Sequence, residues 1–197
     1  MNDISEDFAG FIAHTDAVRY GEFTLKSGKK SDIFFDFGRL CFGRELIKMG
    51  EFFADFIMRN SLNNVDALFG PAYKGINIAI ATSIALNIKY SESIPFIYNR
   101  KVKKDHAEKG IFVGYDIDKI KTLIVLDDVI TDGGTKYEMI ELLSHYRHIN
   151  IAAMVVGVDR QEVDENNELL LPLFVRRTGI PVLSITTKEK VILRKPF

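Results

Sequence analysis

Two adjacent carboxylates, Asp127 and Asp128, follow the apolar run TLIVL and precede Val129, Ile130, Thr131, Asp132, Gly133, Gly134 and Thr135. Neighbouring carboxylates at a strand tip repel one another unless cations or hydroxyl donors meet them. The vicinal hydroxyls of a ribose and a magnesium-bound pyrophosphate are partners of that kind. Gly133 and Gly134 remove side chains where a ligand must approach the backbone. Free N–H groups at the start of the following helix, with the hydroxyls of Thr131 and Thr135, then form a cradle for an anion. A diol reader beside a phosphate cradle is what a ribose 5-phosphate needs. A capped strand–helix turn with a solvated acidic pair is the plainer reading, and the ordered string as a whole disfavours it.

Other segments carry charge or rings in places that chemistry could use. Arg100 to Lys109 contains Arg100, Lys101, Lys103, Lys104, His106 and Lys109 with almost nothing apolar. Such a run reads either as a solvated loop or as a cationic lid for a ligand bearing several negative charges. Tyr73 and Lys74 lie in a Gly-Pro…Gly turn suited to pyrophosphate through backbone amides and an ammonium. Arg160 follows the apolar run IAAMVVGV, where its fork could take a carboxylate bidentately or pair with Asp159 or Glu162. Lys26 sits in the turn KSGKK. Phe34 and Phe35 are adjacent, so on a strand one ring points inward and the other outward. His14, His145 and His148 fall on helices or their ends and read as structural.

The elements that must position these residues alternate along the chain. Ser5 is a plausible cap for a helix bearing Phe8, Phe11 and Ile12. Two strands flank KSGKK, and Arg44 to Asn60 has the periodicity of a helix. VDALF, IPFIYN, IFVGY, TLIVL, IAAMVVGV and PVLSI read as strands, with helices over INIAIATSIAL and KYEMIELLSHY. Thr186 to Glu189 reads as a capping box opening a last short helix. Short apolar strands alternating with amphipathic helices predict an α/β protein with a mainly parallel central sheet flanked by helices. In such sheets ligands sit outside the carboxyl ends of the strands.

Composition narrows the function classes. The 197 residues suit one domain, and no repeat or low-complexity linker divides them. With 26 basic against 27 acidic residues, no global field calls for nucleic acid or an anionic membrane. One cysteine, Cys41, rules out an internal disulfide and suits a reducing compartment. The acidic start MNDISEDFAG does not read as a secretory signal, and no apolar run approaches a membrane span. A cytoplasmic location is expected.

The string VLDDVITDGGT resembles the signature of the type I phosphoribosyltransferases, which use 5-phosphoribosyl 1-diphosphate (PRPP) as donor. It is neither a Walker loop nor a dinucleotide fingerprint. FTLKSGKKSDIFF, FGPAYKGI, YNRKVKKDHAEKG and VDRQE resemble, in order, segments of the orotate-specific branch of that family, and the likeness covers nearly the whole chain. The resemblance implies the type I fold with a small N-terminal hood over the base site. It also implies one domain over 1–197, in which about 1–40 and the C-terminal segment make the hood. Asp127 and Asp128 are implied at the ribose and Thr131 through Thr135 at the 5-phosphate, with Val129 and Ile130 also at PRPP. Lys26, Tyr73, Lys74, Arg100, Lys101, Lys104 and His106 are implied at PRPP. Phe34, Phe35, Thr131 and Arg160 are implied at orotate. Lys104, His106, Asp128, Lys74 and Arg100 carry the implied catalysis. Mg2+ is the implied cofactor, held mainly through PRPP and water with no direct protein ligand. A homodimer is implied, with Arg100, Lys104 and His106 reaching the neighbouring subunit's site. Asp32 stands where the family often has proline, and TDGGT replaces the commoner TAGTA. A transferase for another base and a non-catalytic PRPP-binding regulator are the rival readings.

Overall fold

The computed structural model describes residues 3–24, 28, 30–101, 110–130 and 134–195, except the Thr135 side chain. Expectations placed on Lys26, Lys104, His106, Thr131, Asp132, Gly133 and the Thr135 hydroxyl lie outside the described residues.

The apolar runs pair into a sheet of six strands. They are β3 (Ala67–Gly70), β4 (Phe96–Asn99), β5 (Phe112–Gly114), β6 (Thr122–Ile130), β7 (Asn150–Asp159) and β8 (Val182–Thr187). Their order is β5-β4-β3-β6-β7-β8, parallel throughout except for β5, which runs antiparallel to β4 at one edge. A separate antiparallel hairpin joins β1 (Val18–Thr24) to β2 (Lys30–Phe35). The helices are α1 (Ile4–Ala13), α2 (Gly43–Arg59), α3 (Lys74–Tyr90), α4 (Gly134–Ser144), α5 (Leu170–Thr178) and α6 (Lys188–Ile192).

Strand alternation divides the core into two layers. On β6, Ile124 and Leu126 belong to the layer built with α1, α2 and α3, while Leu123 and Val125 belong to the layer with Met139, Leu143 and Phe174 of α4 and α5. The first layer anchors the N-terminal segment. Phe8 is fully buried, with ring centroids 5.2 Å from Phe52, 6.1 Å from Phe53 and 6.2 Å from Phe37. Each such phenylalanine contributes about 1.5–3 kcal/mol by burial. Lys190 adds ion pairs to Asp3 at 3.3 Å and Glu6 at 3.2 Å, joining α6 to α1.

Several boundaries differ from the sequence expectation. The α1 cap is Asp3, whose carboxylate accepts from the Ser5 N–H at 2.9 Å, not Ser5. The α6 cap is Thr187 rather than Thr186, because Thr186 is buried and hydrogen-bonded to the Ser5 hydroxyl. Helix α5 was not expected; Pro172 falls in its first turn, where a missing N–H costs nothing. Most consequential, β6 does not stop before the aspartates. It continues through Asp127 and Asp128 to Ile130, since the ten-residue β7 offers partners as far as Asp159.

Candidate active site

Strands β3 and β6 are neighbours, yet the chain leaves β3 toward β4 in one direction and leaves β6 toward β7 in the other. A crevice opens at the carboxyl ends where the order reverses, the usual ligand position in an open parallel sheet. The loop after β3, the end of β6 and the end of β7 all meet there.

Two glycines shape the β3 side. A methyl group on Gly70 would fall 2.6 Å from the Gly75 carbonyl carbon, and one on Gly75 would fall 2.8 Å from the Leu126 oxygen. The turn Gly70–Gly75 therefore lies directly on β6 and starts α3 with Lys74 at its first residue. The Ala72–Tyr73 peptide is cis, and the Ala72 N–H donates to Asn99 Oδ1 at 3.0 Å. Tyr73 stands exposed with Lys101 Nζ 5.7 Å above its ring.

Lys74 bridges the crevice. Its Nζ lies 3.0 Å from Asp128 Oδ2 and 3.2 Å from Asp36 Oδ1. Burial opposes the ammonium charge, but the two carboxylates outweigh it and hold the Lys74 pKa above its ordinary value. Asp128 is shifted upward. Burial is the main cause and the Asp127 charge the second, against the opposing pull of Lys74 and Lys136. Asp36 arrives at the end of β2, followed by Phe37. The Phe37 ring packs where a side chain at Gly157 would stand, and the Asp128 carbonyl borders the same point.

Asp127 points to the opposite face of β6. Its Oδ2 accepts from Lys136 Nζ at 2.6 Å and its Oδ1 from the Asp128 N–H at 2.9 Å. Both Asp127 and Lys136 are buried. Each of the adjacent carboxylates takes one lysine, from α3 and from α4, which offsets part of their mutual repulsion.

At the end of β7, Arg160 is buried, with Nη2 2.9 Å from Glu162 Oε1. Its Nε has no hydrogen-bond partner among the described residues, an unusual state for a buried guanidinium. The Arg160 N–H reaches the Ile130 carbonyl at 3.4 Å, which sets the residue beside the end of β6. Burial pushes the neighbouring Asp159 carboxyl upward, opposed by its bond from the Gln161 N–H.

The hairpin presents Phe34 half-buried, 5.5 Å from the Phe23 ring, and Phe35 buried in the core. The inward–outward split expected of adjacent strand residues is observed. Arg100 holds the foot of the cationic segment: its N–H donates to the Ile111 carbonyl at 2.6 Å and its Nη1 to the Gly110 carbonyl at 3.2 Å. Val129 and Ile130 complete β6, and Gly134 begins α4. Sequence reasoning did not single out Asp36 or Lys136. The signal for Lys136 was present: a lysine in the first turn of a helix opposes the helix dipole and requires a partner.

The family model for the Phosphoribosyl transferase domain matches residues 43–171, which include β3, β6, β7 and the crevice between them. An orotate phosphoribosyltransferase of Bifidobacterium animalis subsp. lactis is 35% identical over 190 residues, covering 93% of this chain and 82% of its own. One of Buchnera aphidicola is 39% identical over 190 residues, covering 96% and 88%. The crystal structure of orotate phosphoribosyltransferase from Francisella tularensis superposes with a TM-score of 0.77 at 34% identity, over 95% of this chain and 88% of that one. The chain belongs to the orotate phosphoribosyltransferase family.

Proposed function

We propose that the protein transfers the 5-phosphoribosyl group of PRPP to orotate, giving orotidine 5'-monophosphate and pyrophosphate in the synthesis of UMP. The observation that carries this reading is the Lys74 ammonium set between Asp128 and Asp36 at the switch-point crevice. A cation on the β3 turn faces a carboxylate at the end of β6, and a leaving pyrophosphate and a ribose diol need those two groups side by side. Family membership supports the same activity.

Substitution at the anomeric carbon builds positive charge on the ribose ring and negative charge on the departing pyrophosphate. The protein's part is then positional and electrostatic, without a covalent nucleophile. In this reading Asp127 and Asp128 form the ribose-reading end of β6, Val129 and Ile130 border PRPP, and Thr131 through Thr135 bind the 5-phosphate. Lys74, Tyr73, Arg100 and Lys101 meet the pyrophosphate, joined by Lys26, Lys104 and His106. The Phe34–Phe35 strand and Thr131 border the base, and Arg160 takes the orotate carboxylate through its unpartnered Nε. Asp36, Asp127 and Asp128 each have a lysine within ion-pair distance. With those carboxylates already paired, Mg2+ would be held mainly through PRPP and water, and would supply positive charge against the leaving pyrophosphate.

The test is loss of orotate absorbance on addition of PRPP and magnesium, run beside a panel of purine and pyrimidine bases. Turnover of another base in preference to orotate, or none with any base, would sink the reading. Arg160→Lys replaces a flat fork with a point charge. It should raise the orotate KM at least about tenfold, on the order of 1.4 kcal/mol, with the PRPP KM within about twofold. Initial rates over a grid of both substrates measure this.

A homodimer that shares lids across subunits completes the proposal. Ile47, Ile84 and Ile88 are 64%, 54% and 75% exposed on α2 and α3, and the groove between the helices is lined by Leu46, Ile80 and Ala81. Such an apolar face suits self-association, and α3 begins at Lys74, so a second copy seated there would border the crevice. Ile88→Asp should leave a folded monomer by light scattering, with turnover sharply reduced. A cytoplasmic location agrees with the exposed Cys41 thiol. No helix among the described residues is long and apolar enough to cross a membrane.

A further inference from the structure

Lys136 is costly where it stands. Its side chain is 8% exposed, in the first turn of α4, where the helix dipole disfavours a cation. A buried ammonium is tolerated when a carboxylate meets it, and Asp127 Oδ2 does so at 2.6 Å. A leucine or methionine would fill a core position in a helix with no such requirement. The pair joins two elements that the proposed reaction needs in register, the end of β6 and the start of α4. It also fixes the carboxylate whose other oxygen takes the Asp128 N–H. The Asp128 backbone, the Asp127 carboxylate and the first turn of α4 are thereby tied through one salt bridge.

We infer that Lys136 is a positioning residue for the sugar-phosphate half of the site and acts through Asp127. The inference rests on the proposed activity and refines it. Lys136 does not touch the ligand. It holds the Asp127 carboxylate in one orientation and ties the first turn of α4 to the end of β6. The orotate half, at Arg160 and the hairpin, is not part of this linkage.

The experiment is a double-mutant cycle on the full chain, with Lys136→Met, Asp127→Asn and the pair combined, read by melting temperature and by both KM values and kcat. Lys136→Met should raise the PRPP KM about tenfold while the orotate KM stays within about twofold. In the Asp127→Asn background the same change should add less than about twofold, because the group through which it acts is already altered. Lys136→Arg, which keeps the charge and the bond, should recover most of the PRPP affinity. A Lys136→Met protein with a lowered melting temperature but an unchanged PRPP KM would make the pair merely structural and overturn the inference. Additive losses would overturn it too, since Lys136 would then act on the ligand itself. If Lys136→Met does not fold, Lys136→Gln, which retains a donor, takes its place under the same criteria; failure of both to fold would also count against the inference. Failure of the proposed function would look different, as the unmodified protein would then show no orotate turnover.

Discussion

Asp128→Asn should reduce kcat/KM for PRPP by about 10²–10³-fold, the loss found when one preorganised electrostatic group is removed from a transition state, while leaving the fold at least as stable. The two halves of this expectation share a cause. Burial and the Asp127 charge together outweigh the attraction of Lys74 and Lys136 and hold the Asp128 carboxyl above its ordinary range. The folded protein therefore binds that proton more tightly than the unfolded chain does. The contribution to stability is present in full below the unfolded-state pKa, about 3.9, and is lost as pH rises through the folded value. Asparagine never ionises, so its advantage in stability should grow as pH climbs from about 4 toward neutrality. Lys74 keeps Asp36 as a partner in the variant and is not stranded. Melting temperatures of both proteins across that range, with initial rates at neutral pH, check both halves. A variant that melts below the parent at neutral pH would mean that the attraction of Lys74 outweighs the burial cost.

Gly70→Ala should unfold the molecule at markedly lower temperature and abolish turnover in what remains folded. The added methyl would meet the Gly75 carbonyl carbon at 2.6 Å and the Ala79 side chain at 2.9 Å. Gly75 cannot retreat, since it lies against Leu126 of β6 and Pro71. Overpacking typically costs about 1–3 kcal/mol, and a collision with backbone belongs at the upper end. For a domain of this size that corresponds to a fall in Tm of roughly 6–12 °C. Any relief must come from moving the β3 turn away from β6, which withdraws Lys74 from Asp128. Gly10→Ala is the matched control: nothing lies within 4 Å of the added methyl, and alanine favours a helix. Calorimetry should show no loss there. Equal losses at both positions would refute the close-approach argument.

Much of the architecture was legible in the sequence because strand and helix periodicities are local properties. VDALF, TLIVL and IAAMVVGV were readable as buried strands, and their order placed the charged loops at one edge. What was not legible depended on partners distant in sequence. That β6 would run on through two aspartates could not be inferred from TLIVLDD, since the continuation depends on β7 pairing as far as Asp159. Asp36 reads as an ordinary residue after a strand until the hairpin folds and Phe37 settles against Gly157. Helix α5 was hidden by Pro172, which looks like a breaker unless it is known to lie in a first turn. Of the alternatives weighed for Arg160, a ligand fork or a pair with Asp159 or Glu162, the structure shows the Glu162 pair, which is buried and leaves the Nε–H without a partner among the described residues.

The opposite orientation of the two aspartates has a mechanical consequence. Each helical layer holds the ligand edge by one lysine, the α3 layer at Asp128 and the α4 layer at Asp127. The carboxyl end of β6 is thus held from both helical layers at once. Losing either ion pair would therefore release that edge from one layer only, with the other lysine still in place.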